Sequence, residues 1–119
     1  MPASIETVSN GLHFIQMNGG EVFRFATRVM ASATEEAIDL AKLKLENISL
    51  IIPHQANRRI IEAAARSLSF PMERVMVNLD HYGNTSTASI PIATCEAFNK
   101  GCLLYTSDAA DEEDSVDLG

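Results

Sequence analysis

An α/β fold is predicted by three observations on the 119-residue sequence. Two short β-branched runs, residues 48–52 and 75–79, stand apart from each other. Apolar residues at helical spacing fill the stretches around them, and Pro, Gly and Asn mark the changes of pattern. Strands separated by helices give a sheet whose crossovers cover both of its faces.

Residues 1–20 mix Ser, Asn, Gly and Thr with one alternating stretch, 12–17, and read as a loop or edge segment ending at Asn18-Gly19-Gly20. From Glu21, Val22, Phe25, Ala26, Val29 and Met30 repeat at helical spacing. A second helix is predicted behind them, with Ser32 or Thr34 as N-cap and Ala37, Ile38, Ala41 and Leu45 inward. The run 48–52 (ISLII), closed by Pro53, is too continuous for a half-exposed strand and reads as a central strand covered on both faces. Ile60, Ile61, Ala64, Ala65 and Leu68 form one face of the next helix, Arg58, Arg59, Glu62 and Arg66 the other, and it ends before Pro71. Residues 75–79 make the second strand and 80–84 a turn, after which Thr85 or Ser86 caps a last helix reaching Asn99. Pro91 removes a donor early in that helix, so it either kinks the helix or marks a later start. No internal repeat is visible.

The composition, 46% apolar and 21% charged, suits one globular domain and excludes a multidomain machine. The formal charge of −7 is concentrated at one end: residues 102–119 hold six acids and no base, against ten acids and nine bases in residues 1–101. A nearly neutral body gives no electrostatic reason to expect nucleic acid or an anionic membrane as partner. No run of 18 apolar residues predicts a transmembrane helix. Two unpatterned cysteines, Cys95 and Cys102, suit a reducing compartment, and the first residues lack a basic region and an apolar signal core, so a cytoplasmic location is expected. His13, His54 and His81 lack helical ligand spacing and a completing cluster, so no metal site is expected.

Two polar residues share an address in such a fold. His54 follows the first strand and precedes a helix, and Asn84 follows the second strand and precedes the next helix. Sites in open α/β sheets form outside the carboxyl ends of strands. There an imidazole and a carboxamide can both donate to one oxygen, as a developing enolate or oxyanion requires. The plainer reading of the same residues is a helix cap or surface histidine and a Gly-Asn turn.

The run Ile51-Ile52-Pro53-His54-Gln55-Ala56-Asn57-Arg58-Arg59-Ile60, followed by His81-Tyr82-Gly83-Asn84-Thr85-Ser86, closely resembles the C-terminal half of the β-ketoacyl-[acyl-carrier-protein] synthase III family. Met17-Asn18-Gly19-Gly20-Glu21-Val22-Phe23 resembles that family's segment ahead of its paired helices. Three motifs in the right order and spacing, over residues 1–101, make the resemblance specific. It implies a thiolase-like layered α/β fold, here an incomplete C-terminal half with strands alternating with helices. It also implies a parent enzyme that loads an acyl group from coenzyme A onto a cysteine, decarboxylates malonyl-acyl-carrier protein and joins the two.

By this resemblance His54 and Asn84 are the catalytic pair that binds the malonyl thioester carbonyl. Ala56 and Asn57 line the pantetheine channel, Gly19 and Phe23 border its other side, and Arg59 lies at its mouth toward carrier protein or coenzyme A. Gly20 departs from the polar residue common in the family, which puts one channel contact in doubt. The implied partners are acyl-CoA and malonyl-acyl-carrier protein, with a homodimer as the working enzyme. No cofactor is implied beyond the coenzyme A or phosphopantetheine of the substrates. The family's nucleophilic cysteine belongs to its N-terminal half and neither Cys95 nor Cys102 replaces it, and the family's last strands with their glycine-rich loop are expected to be missing too. A fragment truncated at both ends, with Met1 an internal methionine and no condensing activity alone, is therefore expected. Residues 102–119 resemble a translated sequencing adapter and are expected to be a non-native tail, an acidic disordered tail being the other reading. A polyketide or alkylquinolone starter synthase is the enzymatic alternative, and a non-enzymatic binding module the alternative of another class.

Overall fold

The computed structural model describes residues 2–103. Five α-helices occur among them: α1 (Ile5–Ser9), α2 (Gly19–Leu40), α3 (Arg58–Ser67), α4 (Leu79–Tyr82) and α5 (Ser89–Asn99). Single 3-10 turns lie at Leu45–Asn47, Met72–Arg74 and Ser86–Ala88.

The first helix replaces the loop expected at the N-terminus. Ser4 accepts from the Thr7 N–H while the Thr7 hydroxyl oxygen accepts from the Ser4 N–H, a reciprocal cap in which Thr stands where Glu or Gln is usual. The two consecutive helices expected after Glu21 are one. Ser32 and Thr34 do not cap a new start, because their hydroxyls donate back to the carbonyls of Val29 and Met30 and the helix runs through them. Asn18 caps this long helix through the Glu21 N–H.

Both expected strands are extended segments that meet at one parallel bridge, Ile51 with Val75. The Ile51 N–H donates to the Arg74 carbonyl at 2.9 Å, and the Met76 N–H to the Ile51 carbonyl at 2.9 Å. Longer strands are not formed among the described residues. Extended backbone sends successive side chains to opposite sides, and the contacts follow that alternation. Ile51, Val75 and Val77 join a core with Ala31 of α2 and Ile61, Ala65, Leu68 and Phe70 of the α3 region. Leu50, Ile52 and Met76 join a second core with Ala93 and Ala97 of α5. The extended pair is thus a thin layer with α2 and α3 on one side and α5 on the other.

The last helix starts at Ser89, not at Thr85 or Ser86. Pro91 then falls in its first turn, among the positions whose N–H has no partner within the helix, so the proline is accommodated. The residues expected to form a turn after the second strand wind into α4, which ends at Gly83 with φ +68°.

Candidate active site at the ends of the paired segments

Because the bridge is parallel, the residues that follow Ile51 and Val75 leave the layer on the same side. Gln55 ties these two exits together. Its side chain is 1% exposed; Nε2 donates to the carbonyls of Pro53 at 2.9 Å and Met76 at 3.0 Å, and Oε1 accepts from the Asn78 N–H at 2.9 Å. Asn78 is also buried, and its Nδ2 donates to Glu96 Oε2 at 2.8 Å. The other Glu96 oxygen lies 2.6 Å from Lys100 Nζ. Hydrogen bonding to Lys100, and then to Asn78, holds the Glu96 carboxyl below the ordinary glutamate range, while Glu96 pushes the Lys100 ammonium up. Loop ends, extended layer and α5 therefore form one hydrogen-bonded unit.

His54 sits on this unit. Its Nδ1 is 2.6 Å from Oγ of Ser89, the first residue of α5, and the same Oγ accepts the Gln55 N–H at 2.9 Å. The Ala56 N–H closes a tight turn onto the His54 carbonyl at 3.0 Å. His54 and Asn84 line one open cavity of about 480 Å³, together with Ser86 and Thr87. The Asn84 Oδ1 accepts the Ser86 N–H at 3.1 Å, which leaves Nδ2 as the amide group with donors to offer. His54 also lines a larger apolar groove of about 660 Å³, with Phe25, Val29, Met30, Ile38 and Ile51. The arrangement places two polar side chains at one cavity, with an apolar groove alongside.

The other residues singled out in the sequence are placed differently. Asn57 is the N-cap of α3, its Oδ1 accepting from the Arg59 N–H at 2.9 Å. The Arg59 guanidinium lies 5.9 Å from the centre of the Phe23 ring, so the starts of α2 and α3 meet there. Phe23 borders a separate cleft of about 410 Å³ with Arg24, Thr27 and Arg28. Gly19 opens α2 with open space where a Cβ would stand, and Ala56 is half-buried, two residues after His54. None of these five lines the cavity of His54 and Asn84. Cys95 and Cys102 are exposed free thiols away from it. Among the described residues no cluster of three or more His, Cys, Asp or Glu is placed to hold a metal ion, and no helix is long and apolar enough to cross a membrane. The sequence reading gave no role to Gln55, although it lies within the motif around His54, or to Ser89, and both become visible through their hydrogen bonds.

A family profile described as 3-oxoacyl-[acyl-carrier-protein (ACP)] synthase III C terminal matches residues 38–108, more than half of the chain. The chain belongs to this family. Among synthase III relatives, that of Symbiobacterium thermophilum is 54% identical over 101 residues, which cover 85% of this chain and 31% of the relative. That of Roseiflexus sp. is 56% identical over 97 residues, covering 82% and 30%. The solved synthase III of Thermus thermophilus superposes with a TM-score of 0.72 at 60% identity, covering 75% of this chain and 28% of that one. The Aquifex aeolicus structure gives 0.74 at 47% identity, covering 80% and 31%. The fold is thus that of the synthase III family, and the chain spans about three-tenths of the length of these relatives. The synthase III profile runs past residue 101, where the sequence reading placed the start of a non-native tail; of that tail only Cys102 and Leu103 lie within the described residues.

Proposed function

We propose that this chain is the C-terminal part of a decarboxylating condensing enzyme that joins an acyl-CoA starter to malonyl-acyl-carrier protein, opening fatty-acid synthesis. The observation that carries the reading is the shared cavity: His54 and Asn84 line it together, and a second polar atom of each is already engaged, by Ser89 and Ser86. Two donors converging on a malonyl thioester oxygen stabilise the enolate left when the bond to the carboxylate breaks. Carbon dioxide leaves, its bonding electron pair stays on the thioester fragment, and the α-carbon attacks the acyl thioester carried by the parent's cysteine. The thiolate of that cysteine is the leaving group.

In this reading the nucleophile lies in a part of the enzyme outside this sequence, so the chain alone is inactive in condensation. Gly19, Phe23, Ala56, Asn57 and Arg59 contact the pantetheine arm or its carrier, and the contact of Arg59 with Phe23 at the starts of two helices supports a shared role for those two. The whole enzyme is a cytoplasmic homodimer that uses no cofactor beyond the thioester carriers. Within it the segments around Ile51 and Val75 extend as parallel strands alternating with helices.

The test is malonyl-thioester decarboxylation by a full-length enzyme carrying this segment. Replacing His54 or Asn84 by Ala slows it by about 10²- to 10³-fold, the usual cost of one lost oxyanion donor. Undiminished carbon dioxide release in both variants sinks the assignment.

A further inference from the structure

The Ser89 hydroxyl has one proton and two polar neighbours, His54 Nδ1 at 2.6 Å and the Gln55 N–H at 2.9 Å. The Gln55 N–H can only donate, so it occupies a lone pair of Oγ. A proton on His54 Nδ1 would make Oγ accept twice and leave the hydroxyl proton without an acceptor, at a residue only 1% exposed. Buried donors are not left unmet without cost. With Nδ1 as acceptor, all three groups are satisfied.

We infer that Ser89 is a positioning residue that fixes neutral His54 in the tautomer with its proton on Nε2, making the imidazole a donor for the cavity it shares with Asn84. The inference deepens the condensing-enzyme reading, because it rests on His54 donating to the thioester oxygen. One atom does two jobs: Oγ orients the ring and, through the Gln55 N–H, anchors the backbone beside it. It sits in the first turn of α5, whose Ala93 and Ala97 are completely buried against the extended layer, so the hydroxyl is placed by a packed helix.

The experiment is nitrogen-15 spectroscopy of the imidazoles in the full-length enzyme labelled at histidine, at pH about 9, above the ordinary imidazole range. His54 is assigned by the signals lost in His54→Gln. The expected wild-type spectrum has His54 protonated at Nε2 and unprotonated at Nδ1. Ser89→Ala brings in the Nδ1-protonated form and lowers kcat for malonyl decarboxylation by about 10- to 100-fold with little change in KM, the loss seen when outer partners of metal-bound histidines are removed. Ser89→Thr, which keeps the hydroxyl, restores both. A wild-type His54 protonated at Nδ1 overturns the inference with no variant needed, and so does a Ser89→Ala spectrum unchanged from wild type. If the spectra follow Ser89 while His54→Ala decarboxylates at the wild-type rate, the Ser89 role stands and the catalytic reading falls.

Discussion

At the residue scale, His54 and Asn84 are each held by a serine, His54 Nδ1 by Ser89 Oγ and Asn84 Oδ1 by the Ser86 N–H. An Asn side chain can present either its oxygen or its nitrogen, and the Ser86 N–H removes the choice by taking the oxygen of Asn84. Glu96 plays the same part for Asn78 and is itself held by Lys100. That linkage has a pH signature. The folded state lowers the Glu96 pKa from 4.5, so its contribution is complete above that value and fades as the pH falls through the lower folded value. Lys100 is raised above 10.5, so its side of the pair is complete below that value and is lost only as the pH rises through the higher one. The melting temperature of Glu96→Gln should therefore fall short of wild type at neutral pH and approach it in acid. An equal gap at neutral pH and far below the glutamate range contradicts the linkage. The candidate pair itself was legible in the sequence, because His54 and Asn84 both follow β-branched runs and precede helices. Ser89 was not, since 35 positions separate it from His54 and only the packing of α5 brings them together.

At the element scale, four helices end in the same way. The N–H groups of Leu12, Leu43, Phe70 and Cys102 reach back to the carbonyls of Thr7, Ile38, Ala65 and Ala97, after a residue at positive φ. Two of them use Gly there, α1 with Gly11 at φ +66° and α5 with Gly101 at φ +70°; α2 uses Lys42 and α3 uses Ser69, both at φ 54°. A left-handed conformation strains a residue that carries a Cβ. Ser69→Gly should stabilise the protein by about 0.5–1 kcal/mol, read as a higher urea midpoint, and a lower midpoint contradicts the strain argument. Such endings are hard to read from sequence because Lys and Ser carry no stop signal. The split expected in α2 has a related cause: Ser32 and Thr34 are capping types, yet their hydroxyls found carbonyls of their own helix. The faces of α3 were legible because its pattern is strict, with Ile60, Ile61, Ala64 and Ala65 all buried. The end of α5 at Asn99 was equally plain, whereas Pro91 left a kink or a later start open, and the helix takes the later start.

At the scale of the whole molecule, the described chain has two small cores on either side of a thin extended layer, and wide faces left open. An open apolar groove along α2 and a span of about three-tenths of its relatives fit a piece whose remaining partners complete the layers. The layered class was visible in the sequence because both faces of the runs at 48–52 and 75–79 are apolar. Their pairing was not, because a single bridge depends on where the surrounding helices hold the chain. A double-mutant cycle on malonyl decarboxylation in the full-length enzyme tests the proposal that His54 and Asn84 serve one oxygen of one thioester. If the two donors act as a unit, the rate loss of the double alanine variant is well short of the product of the single losses, as for residues that share a partner. Losses that multiply as for independent sites contradict it.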